Sequence, residues 1–385
     1  MNTLTNLIPT LYQALDKVSR EQVGMIPAVS LNASAANAAL NENINVPITI
    51  AEAALDITPG LYAPDNGDTT PSNVQIAITK SKMVPIRFNG EEMKGLNNGL
   101  GANKLITDRF TQAMRTLTNL VEADLTAQHI YASRAYGTAG TAPFASTIGD
   151  AAQVRKILED NGQWLEGSMG MVVNSAAGAN LRTLGQLTKA NEAGTAETLR
   201  RGALMDLNGF MLGQSSQIVT SVAGTGASST TNTAGYAVGA TVITLAATAS
   251  ATGTIVAGDV ITFAGDTNMY IVASGDTNVT DGGTITLAAP GLRKALAASA
   301  IAITVVAASA RNMAFEKNAI QLVTRAPAMP DGGDMADDVM NVTDPLSGIT
   351  YQVAVYRQYR QMKYEIGLAW GVRTIKSEGL SILLG

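Results

Sequence analysis

His129 is the one imidazole in the chain, set in Ala127-Gln-His-Ile130. An imidazole could serve as the general base of a serine hydrolase. No Gly-x-Ser-x-Gly elbow is present to supply the nucleophile, so His129 is read as a structural contact at a helix C-terminus. Cysteine is absent, which excludes disulfides, thiol nucleophiles and thiolate zinc sites. With a single histidine, clusters of histidine ligands are excluded too.

Three further stretches carry residues that could do chemistry. Gly90-Glu-Glu-Met-Lys-Gly95-Leu96 has the glycine spacing of a phosphate loop but lacks the Lys and Ser/Thr that bind phosphate and magnesium after the second glycine. It reads as a turn entering the next element. Gly-Asp-Thr-Asn occurs at 265–268 and again at 275–278. Acidic turns can hold calcium, yet Asp and Asn beside Gly are equally good turn formers, and an EF-hand loop would need a Glu that residues 213–313 lack. Arg357, Arg360 and Lys363 interleave with Tyr356, Tyr359 and Tyr364. That pattern can track a nucleic-acid strand or form cross-strand pairs at a subunit interface. The net charge of -5 disfavours strong nucleic-acid affinity, so the interface reading is preferred. No paired carboxylates, metal cluster or cofactor loop stand out. The expectation is a non-enzyme with no catalytic residue, no cofactor and no metal.

The elements around these residues can be read from periodicity. Leu4, Leu7, Ile8, Leu11, Leu15 and Val18 recur at helical spacing, with Asp16, Lys17, Arg20 and Glu21 on the other face. The Ala- and Asn-rich residues 32–45 read as irregular. Residues 46–50, 74–78 and 84–88 alternate as half-buried strands do. Turn signals at Pro59-Gly60 and Asn66-Gly67-Asp68 make the first two a long hairpin. A lone hairpin is marginal in water, so it must lie on its own core or on a neighbouring chain. A helix is expected from Asn103 to Arg134, free of Gly and Pro. Its stripe is Ile106, Phe110, Ala113, Met114, Leu117, Leu120, Val121 and Leu125, with Asp108, Arg109, Arg115, Glu122 and Asp124 on the polar face. Some 32 residues would span about 48 Å, the length of a strut. Residues 151–158 and 175–187 read as helices, and 170–174 and 207–211 as short strands.

The chain has 385 residues, 46% of them hydrophobic and 15% charged. It is globular, of a length for two or three domains. No basic, apolar leader opens it, and the charge-free run between Lys294 and Arg311 is shorter than the ~20 residues of a membrane span. The expectation is a soluble chain made in a reducing cytoplasm. Residues 213–313 hold only seven charged side chains. Short alternating runs at 242–245, 260–263, 269–272, 284–287 and 301–306, several separated by Gly-Asp turns, predict a small β-sandwich or barrel. After Phe315 the mixed composition returns, with strands at 319–323, 353–364 and 367–375. The simplest account is a β domain inserted into an α+β host.

This order of parts resembles the major capsid proteins of tailed phages with the Hong Kong 97-type fold. It is most similar to the podophage coat proteins of the P-twenty-two type, which carry an inserted β-barrel. The segments that carry the resemblance are residues 199–210 approaching the insertion, 257–263 with 284–287 and Pro290 within it, and 315–323 with Pro327 and Pro330 at the return. The resemblance implies an α+β fold divided as follows: an N-terminal arm and helix (1–45), an extended-loop hairpin (46–102), a spine helix and peripheral domain (103–150), a first axial part (151–212), an inserted β-barrel (213–313) and return strands (314–385).

It also implies a function. The chain would assemble into the pentamers and hexamers of an icosahedral head enclosing double-stranded DNA. Its partners would be itself, a scaffolding protein and a portal protein, with weak non-specific contact to the DNA. Assembly would take place in the host cytoplasm, and the protein would end in the virion. Asp16 and Glu21 are candidate scaffold contacts, and Arg87 is a candidate intersubunit contact. An encapsulin-type cellular shell shares the fold but usually lacks such an insertion, so residues 213–313 discriminate. A secreted adhesin would need an export signal.

Overall fold

The computed structural model describes residues 7–21, 24–48, 56, 57, 59, 72–97, 102–164, 166–188, 206–218 and 220–385. The helices are α1 (Ile8–Glu21), α2 (Gly90–Asn97), α3 (Ala102–Thr126), α4 (Gly149–Asp160), α5 (Ser175–Thr183) and α6 (Gly185–Thr188). The first strands are β1 (Ser30–Ala38), β2 (Asn43–Ile48), β3 (Ser72–Ala77), β4 (Lys80–Asn89), β5 (Arg134–Tyr136), β6 (Met169–Val173) and β7 (Met211–Gln214). In the β-rich stretch lie β8 (Val242–Leu245), β9 (Val260–Phe263), β10 (Met269–Ser274), β11 (Gly283–Leu287) and β12 (Ile303–Val305). The last are β13 (Arg311–Glu316), β14 (Ile320–Pro327), β15 (Asp338–Thr343), β16 (Thr350–Gln358), β17 (Gln361–Thr374) and β18 (Leu380–Leu384). This is a mixed α+β fold.

One sheet runs β1-β14-β17-β16-β15, with β4 lying along β17. Helix α3 packs on β4 and β17, and α1 packs on α3. Leu11, Leu15 and Val18 of α1 meet Phe110, Met114, Leu117, Val121 and Leu125 of α3 in the largest core, together with Tyr351, Ile366, Leu368 and Trp370 from the sheet. The i, i+4, i+7 spacing within α1 and the 3–4 spacing within α3 put each set on one helix face, as expected for amphipathic helices.

A second sheet runs β12-β9-β10-β5-β18-β13-β6-β7. On it lies a separate core that includes Val154 and Leu158 of α4, Leu181 of α5, and Met171 and Val173 of β6. The burial pattern of β6 has no exposed position. Its continuous apolar run Met171-Val-Val173 fits a strand covered on both faces.

The strands of 242–305 enclose a third core, built on Ile243, Phe263, Tyr270, Ile285 and Ile303. In this stretch β8 pairs with β11, β11 with β10, β10 with β9 and β9 with β12. The outer edges of β8 and β12 meet the same segment. Thr231 bridges Leu245 and Thr230 bridges Ala302, with Ile303 N donating to Ser229 O (2.8 Å) and Ala246 N to Thr230 O (2.9 Å). The strands therefore close into a ring. The ring is not suspended from the host by a tether, because Met269 and Tyr270 of β10 pair with Ala135 and Arg134 of β5. Its two chain ends adjoin, since Thr220 bridges Ala310 and Ser221 N donates to Ser309 O (3.0 Å).

Several local expectations differ from the structure. Residues 30–38, read in part as irregular, form β1, parallel to β14. Its Ala- and Asn-rich sequence has no alternation to read. The partner strand holds it, and Arg325 Nη1 and Nη2 donate to Asn32 O (2.8 Å) and Oδ1 (3.0 Å). Strands β2 and β3 pair antiparallel with Val46 opposite Val74, but β4 leaves them and follows β17 over ten residue pairs. The turn signals at Gly60 and Asn66-Gly67-Asp68 lie outside the described residues, as do 199–205 of the segment approaching the β-rich stretch. Residues 90–97 are a helix and not a turn. Asn89 Oδ1 accepts from Glu92 N (2.7 Å) and Glu92 Oε2 from Asn89 N (3.0 Å), a reciprocal cap. The strut helix has 25 residues, about 37 Å, and continues only as a 3₁₀ turn over Ala127–Tyr131. Residues 353–364 break at a turn between β16 and β17, where Arg360 takes φ 55°.

Candidate functional site

Helix α3 connects more of the chain than any catalytic grouping does. Among the described residues no group of three or more His, Cys, Asp or Glu could hold a metal, and no described helix is long and apolar enough to cross a membrane. The polar side chains of α3 instead fasten other segments. Asp124 Oδ1 accepts from Lys80 Nζ (2.5 Å) at the start of β4, and Oδ2 accepts from the indole Nε1–H of Trp370 (2.8 Å) in β17. Trp370 is fully buried, so its N–H needs a partner there. Thr118 Oγ1 lies 3.0 Å from the Tyr351 hydroxyl. Thr126 Oγ1 donates to Gln217 O (3.3 Å).

Glu122 was expected on the solvent face and is buried instead. Leu120, expected in the apolar stripe, is 38% exposed. Phe110, Ala113, Met114, Leu117, Val121 and Leu125 of the expected stripe are buried, and the buried band is wider than that stripe because the turn after α1, the segment after β7 and Tyr351 meet polar positions of the helix. Thr111, Thr118, Glu122 and Thr126 are all buried. Their spacing of seven, four and four residues keeps them on one stripe, a signal that was present in the sequence.

The other candidate residues are dispersed. Asp16 is on the exposed face of α1, next to Lys17, which pairs with Asp108 of α3 at 3.1 Å. Glu21 ends α1, and its side chain lies outside the described residues. Arg87 is exposed on β4, in register with Lys363 of β17. Two cations face each other there, and Glu365 offsets them by accepting from Lys363 Nζ at 2.5 Å. Between β4 and the first half of α3 runs a surface groove of about 680 Å³, lined by Val84, Pro85, Ile86, Leu105, Arg109 and Gln112 among others. Among the described strands β4 pairs only with β17, and its outer edge carries Lys80, Lys82, Pro85 and Arg87. Charges and proline are the usual protection of a sheet edge against stray pairing.

His129 does what the sequence suggested. Its Nδ1 lies 3.0 Å from Thr126 O at the end of α3. Burial, with Arg311 nearby as a smaller cause, pushes the imidazole below its ordinary 6.5, opposed by the bond to Thr126. The two Gly-Asp-Thr-Asn phrases are turns. Asp266 Oδ1 accepts from Asn268 N (3.0 Å) and Oδ2 from the Tyr270 hydroxyl (2.7 Å), and Asp276 Oδ1 accepts from Asn278 N (2.8 Å). The basic and aromatic residues of β16–β17 divide in two. Tyr364 turns inward and stacks edge-on against Phe88 and Phe110. Tyr356 stays outside, where its ring lies beneath the Lys363 ammonium (5.3 Å) and its hydroxyl donates to Asp334. Arg357 pairs with Asp337. Tyr359 is 90% exposed at the tip.

No protein-family model matches the sequence, and no curated protein matches it. Solved structures do resemble the chain. A capsid structure of the cyanophage P-SCSP1u aligns at a TM-score of 0.48 and 11% identity, over 93% of this chain and 86% of that one. A structure of Mycobacterium phage Che8 aligns at 0.44 and 14% identity, over 89% and 84%. A virus-like particle from Pyrococcus furiosus aligns at 0.44 and 7% identity, over 97% and 98%.

Proposed function

We propose that this chain is a major capsid protein of a tailed phage, with the Hong Kong 97-type architecture and an inserted β-barrel. The observation that carries the reading is the order and pairing of the elements. The antiparallel β2–β3 hairpin precedes a long helix laid on one sheet. A second sheet covered by α4 and α5 follows, and then a ring of short strands whose chain ends adjoin at Thr220 and Ala310. In this reading β2–β3 is the base of the extended loop, α3 is the spine, and β6, β13 and β18 with α4 and α5 form the axial domain. The ring 221–309 is the insertion.

Copies of the chain assemble into pentamers and hexamers of an icosahedral head, with a scaffolding protein and a portal, around double-stranded DNA held by weak non-specific contact. Assembly takes place in the host cytoplasm. Heterologous contacts of this kind close into rings. Arg87 on the exposed β4 edge meets an acidic group of a neighbouring subunit, and the α1 face with Asp16 and Glu21 meets a basic segment of the scaffold.

Negative-stain electron microscopy tests the reading, with the purified chain expressed alone and together with a co-encoded scaffold. Closed shells or regular aberrant ones are expected. Monodisperse monomers in both preparations would reject it.

A further inference from the structure

Glu122 sits where three segments meet. Its Oε2 accepts from Met25 N (3.0 Å) and from the Ser215 hydroxyl (3.0 Å), and its Oε1 accepts from Ile26 N (2.9 Å). Met25 and Ile26 begin the turn that follows α1. Ser215 follows β7, six residues before the neck of the ring at Ser221. One turn further along α3, Thr126 holds Gln217 O, and Ser215 Oγ accepts from Gln217 N (3.2 Å). Gly24 lies so close that a Cβ there would stand 2.6 Å from Glu122 Oε2. The residue before Met25 must therefore lack a side chain for the carboxylate to reach both amides. A polar cavity of about 260 Å³, lined by Arg115, Thr118, Asn119, Gln214 and Gln217 among others, lies beside the carboxylate.

From this arrangement we infer that Glu122 is a clamp that couples the N-terminal segment to the neck of the ring 221–309. The physical reason is shared acceptance. Oε2 serves Met25 and Ser215 together, so a carboxylate displaced by one is displaced for the other. The Met25 and Ile26 N–H groups and the Ser215 hydroxyl lose their acceptor together when the carboxylate moves, and buried donors left without an acceptor are costly, so both segments loosen when the clamp opens. Residues 24–28 and 214–218 then form one opening unit, although nearly 200 residues separate them. The inference does not depend on shell formation, since it concerns the single subunit.

Hydrogen exchange on the full-length chain tests it, with Glu122→Gln as the first variant. That variant keeps the volume but replaces one acceptor oxygen by a donor. Exchange is expected to rise together at Met25, Ile26 and residues 215–217, about tenfold or more, with the β13–β18 amides unchanged. Gly24→Ala, which keeps the charge and moves the carboxylate, is expected to give the same joint signature. A rise confined to one of the two segments, or no rise in either, overturns the coupling. If Glu122→Gln fails to fold, Ser215→Ala gives the answer, since at Glu122 it removes only the bond from Ser215; the acceptor it also takes from Gln217 N acts within 215–217 and cannot by itself reach Met25 or Ile26. Faster exchange at Met25 and Ile26 supports the clamp, and a change restricted to 215–217 rejects it.

Discussion

At the residue scale, α3 buries the polar side chains of Thr111, Thr118, Glu122 and Thr126 beside its apolar stripe. Tyr351 illustrates the consequence. It is buried, within reach of the Thr118 hydroxyl, and burial pushes its phenol up to about 12. Tyr270, beside Asp266, is also pushed up to about 12, again chiefly by burial. The sign follows directly. In the unfolded chain these phenols lose their protons near pH 10, while in the folded chain they keep them. The stability they contribute is complete below pH 10 and is lost as pH rises from about 10 towards 12. For Tyr351 the slope is at most about 1.4 kcal/mol per pH unit. Urea midpoints measured from pH 9 to 11.5 should fall, and Tyr351→Phe should flatten the fall while lowering stability at neutral pH through loss of the bond to Thr118. An unchanged slope in that variant would remove Tyr351 from the account.

At the element scale, the ring 221–309 is both self-contained and bound to its host. It has a core of its own, yet Val260 and Ile271 belong to the main core, and β10 covers one edge of β5. Arg293 Nη2 donates to Asp160 O at the end of α4 (3.0 Å), and Arg134 Nη1 to Asn268 Oδ1 (3.2 Å). Excising 221–309 and joining Thr220 to Ala310 is geometrically simple, because the two are already bridged. The excised chain should nevertheless be less stable. Losing the burial of Val260 and Ile271 alone costs about 1.5–3 kcal/mol each, and β5 is left with an open edge. A denaturation midpoint equal to that of the whole chain would show that the ring contributes nothing to the host.

At the scale of the whole molecule, α1 lies on the outside of α3 with its charged face outward. The proposed scaffold contact belongs here. Reversing Asp16 and Glu21 together to Lys should leave the monomer fold intact, because Leu11, Leu15 and Val18 hold the buried face. It should also cut the yield of closed shells several-fold at physiological ionic strength, where exposed charges still act within about 8 Å. Shell counts by electron microscopy with the scaffold present give the readout, and normal counts would exclude this face.

The sequence by itself determined the elements with strong periodicity. The apolar stripe of α1, the alternation in β2, β3, β8, β9 and β11, the long Gly- and Pro-free helix and the turn chemistry of the Gly-Asp phrases are all local properties. Each was legible in its own residues, as was the shift of composition over 213–313. The role of His129 as a helix-end contact was legible too. Only the tertiary structure decided what depends on partners distant in the chain. β1 is a strand because β14 and Arg325 hold it. β4 belongs to β17 and not to the β2–β3 hairpin that precedes it. The ring is fused to its host because β10 finds β5, which no short-range pattern encodes. Glu122 departs furthest from the polar face that its helical position predicts. A glutamate in an amphipathic helix is ordinarily solvated, and only the arrival of Gly24, Met25, Ile26 and Ser215 supplies the donors that allow its carboxylate to be buried.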